Sequence, residues 1–151
     1  MLSINAIGHY IPKNHINNLD QALNFSMDDS FVRDKLGCIN LPVMASDEDT
    51  SDLGVNAIKD LVNKTNLDLS QVDCLIVCTQ NPDGQGLPHT SAIIQSKLGL
   101  PTNIAAFDIS LGCSGYVYGI SVLSSFMEKF DFQNGLLVTA DPYSKVINRS
   151  D

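Results

Sequence analysis

The sequence predicts an α/β domain built on a layered, mainly parallel sheet. Two observations carry that expectation. The run "VDCLIVCTQ" at Val72–Gln80 is almost continuously apolar, as a strand covered on both faces must be. It also belongs to an alternating series. Stretches of helical period separate it from the short apolar runs "NIAAFDI" and "GLLVTA", which is the order that strand–helix–strand units leave in a sequence. The composition agrees: 151 residues, 44% of them apolar, suit one globular domain of ordinary size.

Each element has its own signal. "LSINAIGHYI" at Leu2–Ile11 reads as a first strand, ended by Pro12. From Asn17 to Leu36 the pattern suits short helical pieces, stopped near Gly37. "TSDLGVNAIKDLVNK" reads as a helix capped by Ser51 or Asp52, with Leu53, Ala57, Ile58, Leu61 and Val62 on one apolar stripe. After the strand at Val72–Gln80, "NPDGQGLP" carries strong turn chemistry. "HTSAIIQSKLG" is a short helix that starts at Thr90 or Ser91 and stops at Gly99. "NIAAFDI" is the next strand, "SGYVYGISVLSSFMEKF" a helix, and "GLLVTA" the last clear strand. That final helix is apolar on nearly every face, the mark of a buried helix. Either a second half-protein or a partner subunit is expected to cover the side that the sheet does not.

Charge and cysteines narrow the function. Nine basic against seventeen acidic residues leave a net charge of −8, which repels phosphate backbones and argues against nucleic acid as a partner. No apolar run approaches the roughly 20 residues of a spanning helix, so no membrane partner is expected. The opening residues have no signal-peptide pattern. The expected compartment is the cytoplasm, with Cys38, Cys74, Cys78 and Cys113 as free thiols. No Cys-x-x-Cys pair or neighbouring histidine builds a metal site. Cys74 and Cys78 share one face of their strand and read as small core residues.

Cys113 is different. It stands in a glycine-flanked turn, "SLGCSGY", between a strand and a helix. Free N–H groups and the positive end of the helix dipole stabilise a thiolate at such a place. Gly112 and Gly115 permit a tight turn and close approach of a substrate. The N–H of Cys113 can serve as one arm of an oxyanion hole. These features suit a nucleophile that accepts an acyl group as a thioester. The bland alternative is a cysteine that fills a crowded corner. His9, His15 and His89 read as loop or surface residues, and nothing in the sequence brings them to the sulfur.

The segment "AFDISLGCSGYVYGIS" resembles the active-site segment of β-ketoacyl-acyl-carrier-protein synthase III, a thiolase-superfamily enzyme. "IGHYIPKNHINN", "DEDTSDLGVNAIKDLV", "VDCLIVCTQNPD", "LPHTSAIIQSKLG" and "GLLVTADPYSK" are similar to further segments of that family, in the same order along nearly the whole chain. The resemblance implies a thiolase-like half-fold over residues 1–151 with Cys113 as the nucleophile. It implies acyl transfer to that sulfur from acyl-CoA or acyl carrier protein, then decarboxylative condensation with a carrier-bound malonyl unit, in fatty acid or specialised acyl-chain synthesis. No permanently bound cofactor is implied. Leu87 falls where the family places a bulky residue that shapes the acyl pocket at a dimer contact. The strand near Ala105–Ile109 would pair with its copy in a homodimer.

The departures are specific. The family's tryptophan and arginine at the coenzyme A adenine fall on Phe31 and Lys35, and a second basic residue falls on Lys145. Phenylalanine keeps a stacking face, whereas lysine lacks the planar fork of arginine. A carrier-protein donor or a specialised pathway gains weight. The family's catalytic histidine and asparagine lie in a second half that these 151 residues do not include. The chain is therefore expected to be the N-terminal half of a condensing enzyme, inactive in condensation by itself. The alternative is a non-catalytic thiolase-like association domain that dimerises or pairs with a separate C-terminal half.

Overall fold

A computed structural model describes residues 3–147. The chain forms two compact units, one of Ile11–Asp47 and the other of the residues before and after it.

The smaller unit pairs β1 (Asn14–Asn17) antiparallel with β2 (Asn40–Val43), Asn14 opposite Val43. Between them run α1 (Asn18–Asn24) and a π-helical turn, Phe31–Leu36. Asn17 caps α1 by accepting from Leu19 N–H. Gly37 ends the π turn at φ 67, a left-handed conformation that glycine adopts without strain. The short helical pieces and their stop at Gly37 agree with the sequence reading. The hairpin does not follow from it, because "NHIN" has a single apolar residue and "NLPV" carries a proline. Pro42 is tolerated because a two-stranded ribbon is all edge.

The larger unit holds a parallel sheet in the order β4–β3–β5: β3 (Cys74–Cys78) is central, flanked by β4 (Ala105–Ile109) and β5 (Gly135–Thr139). All five residues of β3 are buried. They alternate between two layers. Leu75 and Val77 face a core with Val55 and Ile58 of α2 (Thr50–Thr65) and Ile94 of α3 (Thr90–Leu98). Cys74, Ile76 and Cys78 face Leu123 of α4 (Gly115–Phe130). The layered α/β architecture is thus the one expected.

One cap lies elsewhere than the sequence suggests, whereas α3 starts at Thr90 and stops at Gly99 as expected. Asp49, not Ser51 or Asp52, caps α2, and Asp52 completes a capping box by accepting from Asp49 N–H at 2.9 Å. The N-cap of α3 is His89, whose side chain caps nothing. Asp108 of β4 reaches across instead, and its two carboxylate oxygens accept from the N–H groups of Thr90 and Ser91, each at 2.8 Å.

The expected first strand is not formed. Met1 and Leu2 lie outside the described residues, and residues 3–11 carry no strand pairing. The segment packs instead at Gly8, where a Cβ would meet Ala57 O at 2.3 Å and Leu61 N at 2.6 Å on α2. His9 N–H donates to Asp60 of the same helix.

Helix α4 buries Gly115, Gly119 and Leu123 against the sheet. Its other side exposes Tyr116, Val117, Tyr118 and Phe130. The all-round apolar pattern is real, and on that side these residues remain exposed, Phe130 stacking on Phe132 just past the helix end.

Candidate active site

Cys113 is exposed. Strand β4 delivers the chain to it, and α4 begins two residues later, with Ser114 as the N-cap residue. The turn is closed by hydrogen bonds from Leu111 N–H to Ile109 O and from Gly115 N–H to Gly112 O. The Ser114 side chain makes no capping bond. The first-turn amides of α4 are thus left without a side-chain partner from the cap, directly beside the cysteine.

The glycines hold this geometry by their lack of bulk. A Cβ on Gly119 would lie 2.7 Å from Leu137 Cδ1 and 2.9 Å from Cys78 Sγ. One on Gly115 would lie 3.3 Å from Cys78 Cβ. These two let α4 sit close on β3 and β5, and Cys78 Sγ–H donates to Gly115 O at 3.2 Å. Gly112 has a different neighbour: a Cβ there would lie 2.7 Å from Gln80 Oε1. Neither Gly112 nor Gly115 adopts a positive φ. Their role in the turn is room for Gln80 and for the sheet, rather than a special backbone conformation.

Gln80 is the support that sequence reading missed. Its side-chain oxygen accepts from Tyr143 Oη–H at 3.0 Å, and its N–H donates to Asp141 Oδ1 at 2.7 Å. Asp141 also accepts from Thr79 Oγ1 and Asn81 Nδ2. The segment after β5 therefore ties down the end of β3 and places Gln80 beneath the cysteine turn. A turn-forming "ADPYS" just beyond a strand was the only trace of this in the sequence.

The other candidate residues are placed as follows. Leu87 stands on the loop between β3 and α3, 76% exposed. Lys145, in a short 3-10 helix Tyr143–Lys145, donates to Asp49 Oδ1 and to Pro82 O. Phe31 and Lys35 lie in the smaller unit, where they line one open cavity of about 350 Å³ together with Asp28 and Asp34. Among the described residues no recorded hydrogen bond joins His9 or His89 to Cys113: His9 lies at Asp60, and His89 opens α3. His15 belongs to β1 of the smaller unit.

Comparison with known proteins bears on the fold and on the stretch around Cys113. The sequence profile of 3-oxoacyl-[acyl-carrier-protein (ACP)] synthase III matches residues 107–151, the stretch that contains Cys113. The β-ketoacyl-[acyl-carrier-protein] synthase III of a Sulfurovum species is 33% identical over 149 residues, covering 99% of this chain and 44% of its own. That of Caldanaerobacter subterraneus subsp. tengcongensis is 35% identical, covering 95% of this chain and 43% of its own. The crystal structure of the synthase III from Thermus thermophilus superposes with a TM-score of 0.88 at 33% identity, over 97% of this chain and 45% of that one.

The chain has the fold of the N-terminal half of a β-ketoacyl-acyl-carrier-protein synthase III-like protein.

It spans a little under half the length of these synthase III relatives. The sheet β4–β3–β5, the two helical layers and the cysteine turn are the parts of the synthase III-like fold that these residues supply. No helix of the described residues is long and apolar enough to cross a membrane.

Proposed function

We infer that Cys113 is the acyl-accepting nucleophile of a synthase III-type condensing reaction. The observation that carries this reading is an exposed sulfur beside a helix mouth that no side chain of its cap residue closes, within the segment that the family profile matches. The thiolate attacks the carbonyl carbon of an acyl thioester, and the electron pair moves to the carbonyl oxygen. The Cys113 N–H and the first-turn amides are the donors for that oxyanion. Collapse breaks the bond to the donor's sulfur, which leaves as a thiolate and takes up the proton that Cys113 gave up. In the second step a carrier-bound malonyl unit loses carbon dioxide. The carbanion so formed attacks the acyl carbon and frees the cysteine. That step needs donors on the malonyl thioester oxygen, which the resemblance places in the family's second half, so these 151 residues alone do not condense.

The donor is an acyl thioester, of coenzyme A or of a carrier protein. Phe31 and Lys35 share one cavity, which supports a stacking and charge role for them. Asp28 and Asp34 line the same cavity and oppose a phosphate-rich ligand. Lys145 is bonded to Asp49 and Pro82 O and must release them to take a phosphate. These features favour the carrier-protein donor. Leu87, exposed as it is, suits an acyl-pocket residue completed by a homodimer partner.

Intact mass after incubation with acetyl-CoA, and separately with acetyl carrier protein, tests the proposal. One acetyl group on the wild type and none on Cys113→Ala is expected. An unmodified wild type with both donors, even with a C-terminal half restored, refutes it.

A further inference from the structure

The peptide unit joining Gly112 to Cys113 carries the Cys113 N–H, the oxyanion donor of the acyl-transfer step. Two contacts hold that unit. Its oxygen accepts from Gly115 N–H at 2.7 Å. The unit is trans and planar, so its N–H points away from that oxygen. Cys113 N–H itself donates to nothing among the described residues, which leaves it open to a ligand.

The second contact falls on Gly112 Cα. Glycine turns about its backbone bonds more freely than any other residue, and rotation there would swing the N–H of Cys113. The space that a side chain would fill on Gly112 is taken by the carboxamide of Gln80. A Cβ there would lie 2.7 Å from Gln80 Oε1 and 3.3 Å from Gln80 Cδ. The carboxamide stands against Gly112 as a side chain of its own would, but it is anchored in another part of the fold.

Both ends of Gln80 are held. Along the main chain, Thr79 N–H donates to Ile109 O, Cys78 O accepts from Ala140 N–H, and Gln80 N–H donates to Asp141 Oδ1. An exposed glutamine side chain ordinarily samples several rotamers. Here Tyr143 Oη–H donates to Gln80 Oε1 at 3.0 Å and holds one of them. Tyr143 is fixed in turn by its N–H on Asp141 O at 2.9 Å. Asp141 thus secures both members of the pair, through its side chain for Gln80 and its main chain for Tyr143.

We propose that Gln80 is a positioning residue for the oxyanion arm of Cys113, with Tyr143 as the group that fixes it. It acts through Gly112 and touches no substrate. This role rests on the reading of Cys113 as the acyl-accepting nucleophile and adds a residue pair to it. Removing an oxyanion donor outright costs about 10²–10³ in rate. Misdirecting one costs less, so loss of the Gln80 carboxamide is expected to slow acyl transfer about tenfold.

Two reactions of the same sulfur separate this role from a merely structural one. Acyl transfer from acetyl carrier protein passes through an oxyanion. Alkylation by iodoacetamide displaces iodide from a saturated carbon and forms none, so it depends on thiolate and access alone. Wild type, Gln80→Ala, Tyr143→Phe and the double variant are compared in both reactions by peptide mass mapping over time, with alkylation followed between about pH 6 and 9. Gln80→Ala should take up acetyl about tenfold more slowly and Tyr143→Phe more slowly by a smaller factor. The double variant should be no slower than Gln80→Ala, because Tyr143 works through Gln80. Alkylation of Cys113 and its pH profile should be the same in all four, with buried Cys74 and Cys78 unlabelled as a sign of intact folding. Equal acetylation of wild type and both single variants overturns the role of Gln80 and leaves the nucleophile reading intact. A parallel change in alkylation, a shifted pH profile or labelling of Cys74 or Cys78 also overturns it, since the pair would then be supporting the fold at large. A wild type that takes no acetyl group overturns the nucleophile reading and this role with it.

Discussion

Replacing Gly119 by alanine tests how closely α4 must sit on the sheet to hold the cysteine turn. The added Cβ meets Leu137 Cδ1 at 2.7 Å and Cys78 Sγ at 2.9 Å. Both are inside the separation that real Cβ atoms keep. Leu137 can rotate its end away. Cys78 cannot do so freely, because it is buried in β3 and bonded to Gly115 O. Two terms oppose each other. Alanine is favoured over glycine in a helix interior by about 0.8–1 kcal/mol. Overpacking a filled contact costs about 1–3 kcal/mol. The sum is a net loss of up to about 2 kcal/mol. Gly115→Ala is the milder case in the same helix: its new Cβ has no neighbour closer than 3.3 Å, so Cys78 need give by only a few tenths of an ångström. Gly119→Ala is expected to be less stable than Gly115→Ala by about 1–2 kcal/mol, or roughly 2–8 °C in Tm for a chain of this size. Urea unfolding followed by circular dichroism measures it, with an unchanged slope confirming that the native state was the one affected. Gly119→Ala matching or exceeding both the wild type and Gly115→Ala would refute the claim that close helix-on-sheet contact seats the turn.

Other consequences are equally direct. Burial, with the Asp73 charge as a smaller contribution, pushes the Cys74 thiol up to about 11. Burial and then the charges of Asp141 and Asp108 push Cys78 up. Iodoacetamide at pH 8 should therefore alkylate exposed Cys113 and leave Cys74 and Cys78 intact until urea is added; peptide mass mapping that finds either one labelled in the folded chain contradicts the packing. Partial burial pushes the Asp49 carboxyl up, but hydrogen bonds from Lys145, Thr50 N–H and Gly84 N–H outweigh it and hold Asp49 below its ordinary value. Asp52 is likewise lowered, Lys97 and Asp49 N–H outweighing its burial. Both carboxyls thus add stability that is present above the unfolded carboxylate pKa near 3.9 and is lost as the pH falls through their folded values. Lys145→Met should raise the pH of acid unfolding followed by circular dichroism, and an unmoved midpoint would show the Lys145–Asp49 bond to be inconsequential. Asp108→Ala leaves the first turn of α3 without its acceptor and should cost about 0.5–2 kcal/mol in urea unfolding; no loss would mean that water replaces the cap fully.

Much of the fold was legible because it is written in local periodicity. The continuous apolar run at β3 announced a strand covered on both faces, and all its residues are buried. What the sequence concealed depends on partners distant along the chain. Leu2–Ile11 has a strand's pattern, yet a strand exists only where another edge accepts its hydrogen bonds, and none of the described residues does so. Asp108 reads as a polar interruption in a strand, although it caps a helix 17 to 18 residues earlier. Local cap signals misled for α2 as well, since "DEDTSD" offers several acceptors and only the geometry selects Asp49. Cys113 was visible as a singular feature from its setting alone. Gln80, Asp141 and Tyr143, which support that setting, were not, because no motif joins residues separated by 61 to 63 positions.

The most direct measurement is a peptide map after exposure to acetyl carrier protein. The acetyl group should be found on the peptide that contains Cys113, and neutral hydroxylamine should release it, as it does a thioester. Acetyl found on Cys38 or on a lysine instead, or none on the Cys113 peptide when a complementary C-terminal half is present, would contradict the assignment of Cys113 as the acyl carrier.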